Sequence, residues 1–325
     1  MRHISLPVTS IRFFNKYFSL VPTKRYFSQS YDGTPHSLAH SDLGDAALVK
    51  NIETVDLAFD IHKANDPIGP PLIFLHGLFG SKANNRSISR QLVKKIQRDI
   101  YCLDLRNHGD SPHHHIHNYP SMAADVEKFI RDRKIENSIV IGHSMGAKTA
   151  MALVLRNKNI CKGMVAVDNA PVDFTFGGTG FSKFGKYIKQ LKKIESKELK
   201  SLKECDEILA EVEDQLPVRQ FLMTNLKKKE NGKGYYCRVP LDIMGKELDN
   251  VSSWPFNYTK SRWNGNSLFI RGTQSAYVAD EYISSIGLFY PSFELEDVDA
   301  GHWLISEKPH EFLNILSRWI ERHEE

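Results

Sequence analysis

No run of eighteen or more apolar residues occurs in this 325-residue chain, which argues against a membrane-spanning helix. Cysteine is scarce. Cys102, Cys161, Cys205 and Cys237 are widely spaced and none forms a C-x-x-C pair, so free thiols in a reducing compartment fit better than a disulfide scaffold. Internal repeats and low-complexity tracts are also missing. With 25% charged and 41% hydrophobic residues the composition is that of an ordinary globular protein, long enough for one large α/β domain with or without an inserted cap.

Acidic residues are absent before Asp32, whereas Arg2, Arg12, Lys16, Lys24 and Arg25 are basic. Between Ser10 and Leu20, Ile11, Phe14 and Phe18 recur at helical spacing, and Arg12 and Lys16 lie four apart on another face. An Arg-rich, Ser-containing, acid-free amphipathic stretch is the composition of a mitochondrial transit peptide. Arg25-Tyr26-Phe27-Ser28 is similar to a matrix-protease cleavage site. We therefore expect a transit peptide over residues 1–27, matrix localisation, and an exposed linker over 28–50. The formal charge of +4 (43 basic, 39 acidic) becomes −1 once the five leader cations are removed. The basic balance is therefore poor support for nucleic-acid binding, and none is expected.

Past the linker, apolar runs alternate with helical spacing. Val55–Ile61 reads as an early antiparallel strand, followed by strands at Leu72–Leu75, Ile100–Leu105, Ser138–Ile141 and Met164–Asp168. Helical patterns occupy 87–97 and 122–133. This rhythm implies a mostly parallel sheet. It stops near Pro171 and resumes at Ser267–Gly272, then continues with a helix near 279–286, a strand at Phe293–Val298 and a last helix at 309–323. We expect core at 51–171 and 263–325, with a helical lid inserted over 172–262.

The most informative local pattern is Gly142-His143-Ser144-Met145-Gly146, placed between an apolar strand and a helical stretch. A serine on so tight a strand-to-helix turn presents its hydroxyl to the site, and glycine is needed on either side for steric reasons. This pattern predicts Ser144 as a nucleophile forming acyl intermediates. Its base is expected to be His302, in the loop Asp299-Ala300-Gly301-His302 after the last strand, giving the chain order Ser, Asp, His. The loop Gly272–Tyr277, where the acid most often lies in this fold, carries no carboxylate. Asp168, ending the strand after the elbow helix, is placed to hold the imidazole tautomer; Asp173, Asp280 and Asp299 are the alternatives. The backbone N–H groups of Leu78 and Met145 are the expected oxyanion donors. His76 is expected to brace the Leu78 loop without transferring protons.

Two other features are weaker. The His113-His114-His115 run with His117 lacks a second ligand cluster at sensible spacing, so solvated loop histidines are expected and no metal. Residues 181–203 hold eight lysines and two glutamates. A solvated lid face is the ordinary interpretation, and docking of a phosphorylated carrier such as coenzyme A is the functional one.

Taken together, His76-Gly77-Leu78-Phe79-Gly80-Ser81-Lys82, Asp104–Ser111, the Ser144 pentapeptide, Val167-Asp168-Asn169-Ala170-Pro171 and Arg271–Val278 resemble one branch of the α/β-hydrolase superfamily. It contains mitochondrial abhydrolase-domain proteins, bacterial acyl-CoA and short-ester esterases, and the yeast ethanol acetyltransferases. The likeness spans about residues 50–320 and implies an α/β-hydrolase fold with its acid at Asp168. It also implies acetyl transfer from acetyl-CoA, as co-substrate rather than tightly bound cofactor, to ethanol, with thioesterase and esterase activity alongside. The lid carries no motif that maps onto the branch. A mitochondrial carboxylesterase, lipase or acyl-CoA thioesterase is the second expectation, and a non-catalytic binding protein on the same fold the third.

Overall fold

The computed structural model describes residues 45–175 and 181–323. The expected transit peptide and most of the expected linker lie outside the described residues. A seven-stranded sheet forms the centre, built from β1 (Phe59–His62), β2 (Leu72–Leu75), β3 (Ile100–Leu103), β4 (Ile139–His143), β5 (Gly163–Val167), β8 (Asn266–Gly272) and β9 (Phe293–Val298) in the order β1-β3-β2-β4-β5-β8-β9. Among the described residues, only the β1–β3 pairing of this sheet is antiparallel; its other five pairings are parallel.

Parallel strands covered on both faces must be apolar on both, which explains the unbroken runs read from the sequence. In β2, Ile73 and Leu75 join one core layer while Leu72 and Phe74 join the other. β4 divides likewise, Val140 to one layer and Ile139 and Ile141 to the other. The first layer receives α2 (Tyr119–Asp132) and α3 (Met145–Arg156) through residues such as Met122, Val126, Ala150 and Met151. The second receives α1 (Arg86–Ile96) and α10 (Pro309–Arg322), whose apolar stripes present Leu92, Ile96, Phe312, Leu316 and Trp319.

Between β5 and β8 the chain leaves the sheet. The insertion holds α4 (Phe181–Glu195), α5 (Leu202–Ala210), α6 (Leu216–Met223), a hairpin of β6 (Leu226–Lys228) and β7 (Tyr235–Cys237), and α7 (Leu241–Ser252). The lid is therefore not wholly helical, as the sequence pattern suggested. Gly232 and Gly234 take positive φ in the hairpin turn, where a side chain is disfavoured. Several lid lysines have carboxylate partners, in the pairs Lys183–Glu213, Lys192–Asp242 and Lys193–Glu211.

Two buried polar features tie the insertion and the N-terminal segment to the core. Lys148, in the first turn of α3, is fully buried, and its Nζ donates to the carbonyls of Val172, Ser252 and Ser253 at the two stems of the lid. Its amine also lies 4.6 Å from the centre of the Phe174 ring. Residues 45–47, expected as exposed linker, are instead buried. Asp45 caps a short turn through the Ala47 N–H and accepts from the Ser261 hydroxyl, while Ala46 N–H donates to Pro255 O. Two alanines there are small enough to fill the gap beside α3. Among the described residues, no helix is long and apolar enough to cross a membrane. Two shorter core helices, α8 (Ile283–Phe289) and α9 (Leu304–Glu307), precede α10.

Candidate active site

Ser144 follows the last residue of β4 and precedes the first of α3, with φ 56° and ψ −116°. A non-glycine residue held there is strained, and persists only where its surroundings determine it. The flanking glycines explain how. A Cβ on Gly142 would lie 2.0 Å from the Gly146 carbonyl oxygen, and one on Gly146 would lie 2.5 Å from that of Leu75. Strand β2, strand β4 and helix α3 thus meet too closely for any side chain at either position.

Three distant segments meet at the carboxyl ends of the strands. His302 Nε2 is 2.9 Å from Ser144 Oγ, and His302 Nδ1 is 2.6 Å from Asp168 Oδ2. Asp168 is fully buried in a left-handed conformation, φ 51°, just past β5. It accepts two further hydrogen bonds: Gly272 N–H donates to Oδ1 at 2.9 Å, and Ser275 Oγ–H to Oδ2 at 2.5 Å. Ser275 occupies the loop from which a carboxylate was missing. It supports the carboxylate on the neighbouring strand, a partnership that sequence reasoning did not identify. A hydroxyl where an acid would otherwise sit is the signal that could have found it.

The alternative acids lie elsewhere. Asp280 pairs with Arg271 at 2.5 Å, Asp299 accepts from Gln274 Nε2 at 2.9 Å, and Asp173 accepts from the Thr175 backbone N–H at 2.8 Å.

Donors for an oxyanion come from two backbones. Met145 opens α3, so its N–H has no intrahelical acceptor. In the Gly77–Gly80 loop, Phe79 N–H donates to His108 Nε2 at 3.1 Å and Gly80 N–H to Gly77 O at 2.9 Å. The Leu78 N–H between them has no acceptor among the described residues. His76 braces this loop: its Nδ1–H donates to Gly77 O at 2.8 Å, and its Nε2 accepts from Leu105 N–H at 3.0 Å. Burial lowers the pKa of both His76 and His108, keeping each ring neutral as these bonds require.

The Asp104–Ser111 motif is the scaffold behind that loop. Asp104 accepts from Lys82 N–H, Lys82 Nζ and Asp110 N–H at 2.6–2.8 Å. Arg106, fully buried, makes a two-pronged pair with Asp125 at 2.6 and 2.8 Å. Gly109 takes φ 57°, and a Cβ there would overlap the Asp104 carboxylate. The histidine run joins the same scaffold: His113 Nε2–H donates to Arg238 O at 2.9 Å, and His114 Nδ1 accepts from Ile116 N–H at 3.1 Å. His117, expected as a solvated loop histidine, is instead fully buried. Burial lowers its pKa to about 3. No cluster of His, Cys, Asp and Glu able to hold a metal occurs among the described residues.

His143, beside the nucleophile, was another residue the sequence did not single out. Burial, with the neighbouring His302, lowers its pKa to about 4, and its neutral ring donates Nε2–H to the His302 carbonyl at 2.8 Å. The His302 ring is flanked by Tyr277 at 4.3 Å and Trp303 at 5.7 Å between ring centres. Phe221 of lid helix α6 packs edge-on against Trp303 at 4.6 Å. A cavity of about 460 Å³ opens beside Gly77, His143 and Trp303 beneath α6.

A serine on a strained strand-to-helix turn, an imidazole and carboxylate in line behind it, and unpaired N–H groups in front define a hydrolase of the α/β class. The chain belongs to the alpha/beta hydrolase fold family, which its residues 70–309 match. It is an enzyme of the acyl-hydrolysing and acyl-transferring type, in the abhydrolase-domain branch. It is 43% identical over 292 residues to a "Probable alcohol acetyltransferase" of Saccharomyces cerevisiae, covering 83% of this chain and 85% of that one. It is 38% identical to the "sn-1-specific diacylglycerol lipase ABHD11" of Xenopus laevis, covering 82% and 84%. Among solved structures, a "Marine microorganism esterase" matches with a TM-score of 0.75 and 32% identity, over 82% of this chain and all of that one.

Proposed function

We propose that the protein is a mitochondrial serine acyltransferase that takes acetyl, or another short acyl group, from coenzyme A and delivers it to a small alcohol or to water. The observation that carries this reading is the unbroken hydrogen-bond line from Ser144 through His302 to Asp168. The 43% likeness to a protein named as an alcohol acetyltransferase supports the acetyl and alcohol parts of it. The basic, acid-free first thirty residues support import into the matrix.

In the resting enzyme His302 carries its proton on Nδ1, donated to Asp168, which leaves Nε2 free to accept from the Ser144 hydroxyl. Ser144 Oγ attacks the thioester carbonyl carbon as its proton passes to Nε2, and the carbonyl oxygen gains its charge facing the N–H groups of Leu78 and Met145. Asp168, dry and held by Gly272 and Ser275, stabilises the imidazolium. Collapse breaks the carbon–sulfur bond, and the departing thiolate takes the proton from Nε2. An alcohol or water then gives its proton to Nε2 and attacks the acetyl-serine; collapse releases an ester or acetate and returns the proton to Ser144 Oγ. Transferase, thioesterase and esterase activities share this intermediate, and the attacking molecule decides among them.

Incubating purified protein with acetyl-CoA and ethanol, and measuring ethyl acetate and free thiol, tests the proposal. Both products should exceed those of a Ser144→Ala control; equality with the control refutes it. A lipase acting on longer esters is the second reading, favoured by the likeness to a diacylglycerol lipase. Faster turnover of long-chain glycerides than of acetyl-CoA would select it.

A further inference from the structure

The cavity beside the nucleophile is larger than the proposed reactants need. Its volume of about 460 Å³ falls within the roughly 300–1,000 Å³ of pockets that enclose drug-sized ligands, well beyond an acetyl group and ethanol. One wall is the loop that carries His302, continuing through Trp303, Ile305 and Ser306, and the lid contributes Val218 and Phe221. The Gly77–Gly80 loop and His143 form another wall, and the short turn Lys82–Asn85 brings in Asn85.

Asn85 is 5% exposed, and its Nδ2 is buried with no acceptor on the protein among the described residues. The side chain precedes α1 yet makes no capping bond. The turn does not waste polar groups in general, since its neighbour Asn84 accepts from Ser81 N–H at 2.6 Å. A buried amide N–H₂ without a partner costs folding stability and is rare in folded proteins. Among the described residues, no lysine or arginine lines the cavity. Glu307, the one carboxylate that lines it among the described residues, already accepts from Gly301 N–H at 2.8 Å. The lining therefore suits a neutral chain with an apolar body and an oxygen acceptor.

We propose that this cavity is the subsite for the leaving-group arm of the acyl donor, and that on binding the Asn85 amide rotates to turn its unpartnered Nδ2 into the cavity, where it donates to a carbonyl oxygen on that arm. The assignment to the leaving group follows from the shared wall. His302 hands its proton to the departing heteroatom, and the residues immediately after His302 line the cavity. The inference rests on the acyl-transfer reading and adds a specificity-determining residue to it. Two leaving groups have this chemistry: the amide-bearing arm of a coenzyme A thioester, and a glyceride that retains a second ester. Charged phosphates would remain outside.

Two matched pairs of acetyl donors test the proposal and separate the sources. The thioester pair is S-acetyl-N-acetylcysteamine and S-pentyl thioacetate, which differ by the amide. The ester pair is 1,2-diacetylglycerol and its analogue with an ether in place of the second ester. For wild-type enzyme, kcat/KM should favour the carbonyl-bearing member of at least one pair by about five- to tenfold, as one buried hydrogen bond allows. The pair showing this preference identifies the source. Asn85→Leu should bring that ratio close to one. Val218→Trp, which fills the cavity from the lid side, should lower kcat/KM for the long donors relative to methyl thioacetate, so the test does not depend on one variant folding. A preference that survives Asn85→Leu, or no preference in either pair, overturns the subsite alone. Wild-type enzyme that turns over none of these donors, nor p-nitrophenyl acetate, overturns the acyl-transfer reading and the subsite with it.

Discussion

Replacing Asp168 by Asn should cost catalysis far more than its size suggests, and the hydrogen-bond pattern shows why. Gly272 N–H points at Oδ1 and can only donate, so the amide oxygen of an asparagine must face it. The amide N–H₂ then takes the place of Oδ2, opposite Ser275 Oγ and His302 Nδ1. Ser275 can rotate its hydroxyl to accept. His302 must accept at Nδ1, which moves its proton to Nε2 and directs it at Ser144. That tautomer cannot take the serine proton. A wrong-tautomer lesion of this kind lowers kcat by about 10⁴ in a serine hydrolase of another fold, equivalent to about 5.5 kcal/mol of barrier. Pre-steady-state release of p-nitrophenol from p-nitrophenyl acetate measures acylation directly, and the melting temperature checks that the fold survives. Asp280→Asn loses only a contact to Arg271 at the surface and should acylate within a few-fold of wild type. Near-normal acylation by Asp168→Asn, together with a large loss in Asp280→Asn, would refute the reasoning.

Three further outcomes follow from the buried polar groups and the shared intermediate. Burial lowers the Lys148 pKa to about 7, against about 10.4 in an unfolded chain. Between those values the unfolded chain holds a proton that the folded protein does not, so this group adds stability as pH rises, by about 1 kcal/mol per unit near pH 8–9. Urea unfolding at pH 7.5 and 9 should show that increment in wild type relative to Lys148→Met; equal pH slopes in the two proteins contradict it. Arg106→Met leaves Asp125 buried without its cation and should destabilise the protein by about 3–5 kcal/mol in the same assay. Ethanol exceeds water by two carbons, a pocket preference of about 1.6 kcal/mol or fifteenfold. Against roughly 55 M water, ethyl acetate should equal acetate only near about 4 M ethanol unless the lid also excludes water; parity at millimolar ethanol would show that it does.

Strand positions along the chain and the nucleophile turn were legible because both are written locally. Strands buried on two faces must be continuously apolar, and the crossing at Gly142 and Gly146 tolerates only glycine. Asp168 was legible by elimination, from a loop lacking carboxylates. Its support by Ser275 was not, because that contact joins residues 107 apart and a serine in a loop has many possible roles. The β6–β7 hairpin was lost in a lysine-rich tract whose three-residue strands are too short to show a period. Lys148 looked like an ordinary helix lysine, since its burial depends on Val172 and Ser252 arriving from both ends of the lid. The burial of residues 45–47 escaped notice for a related reason: an Asp followed by two Ala carries no pattern until its partners, Pro255 and Ser261, are in place.

The most direct measurement is the mass of the protein quenched within its first turnover of acetyl-CoA, followed by peptide mapping. One added acetyl group is expected on the peptide containing Ser144, lost on standing with water or ethanol and absent from Ser144→Ala. Turnover without any acetyl adduct, or an adduct that persists unchanged in Ser144→Ala, would contradict it.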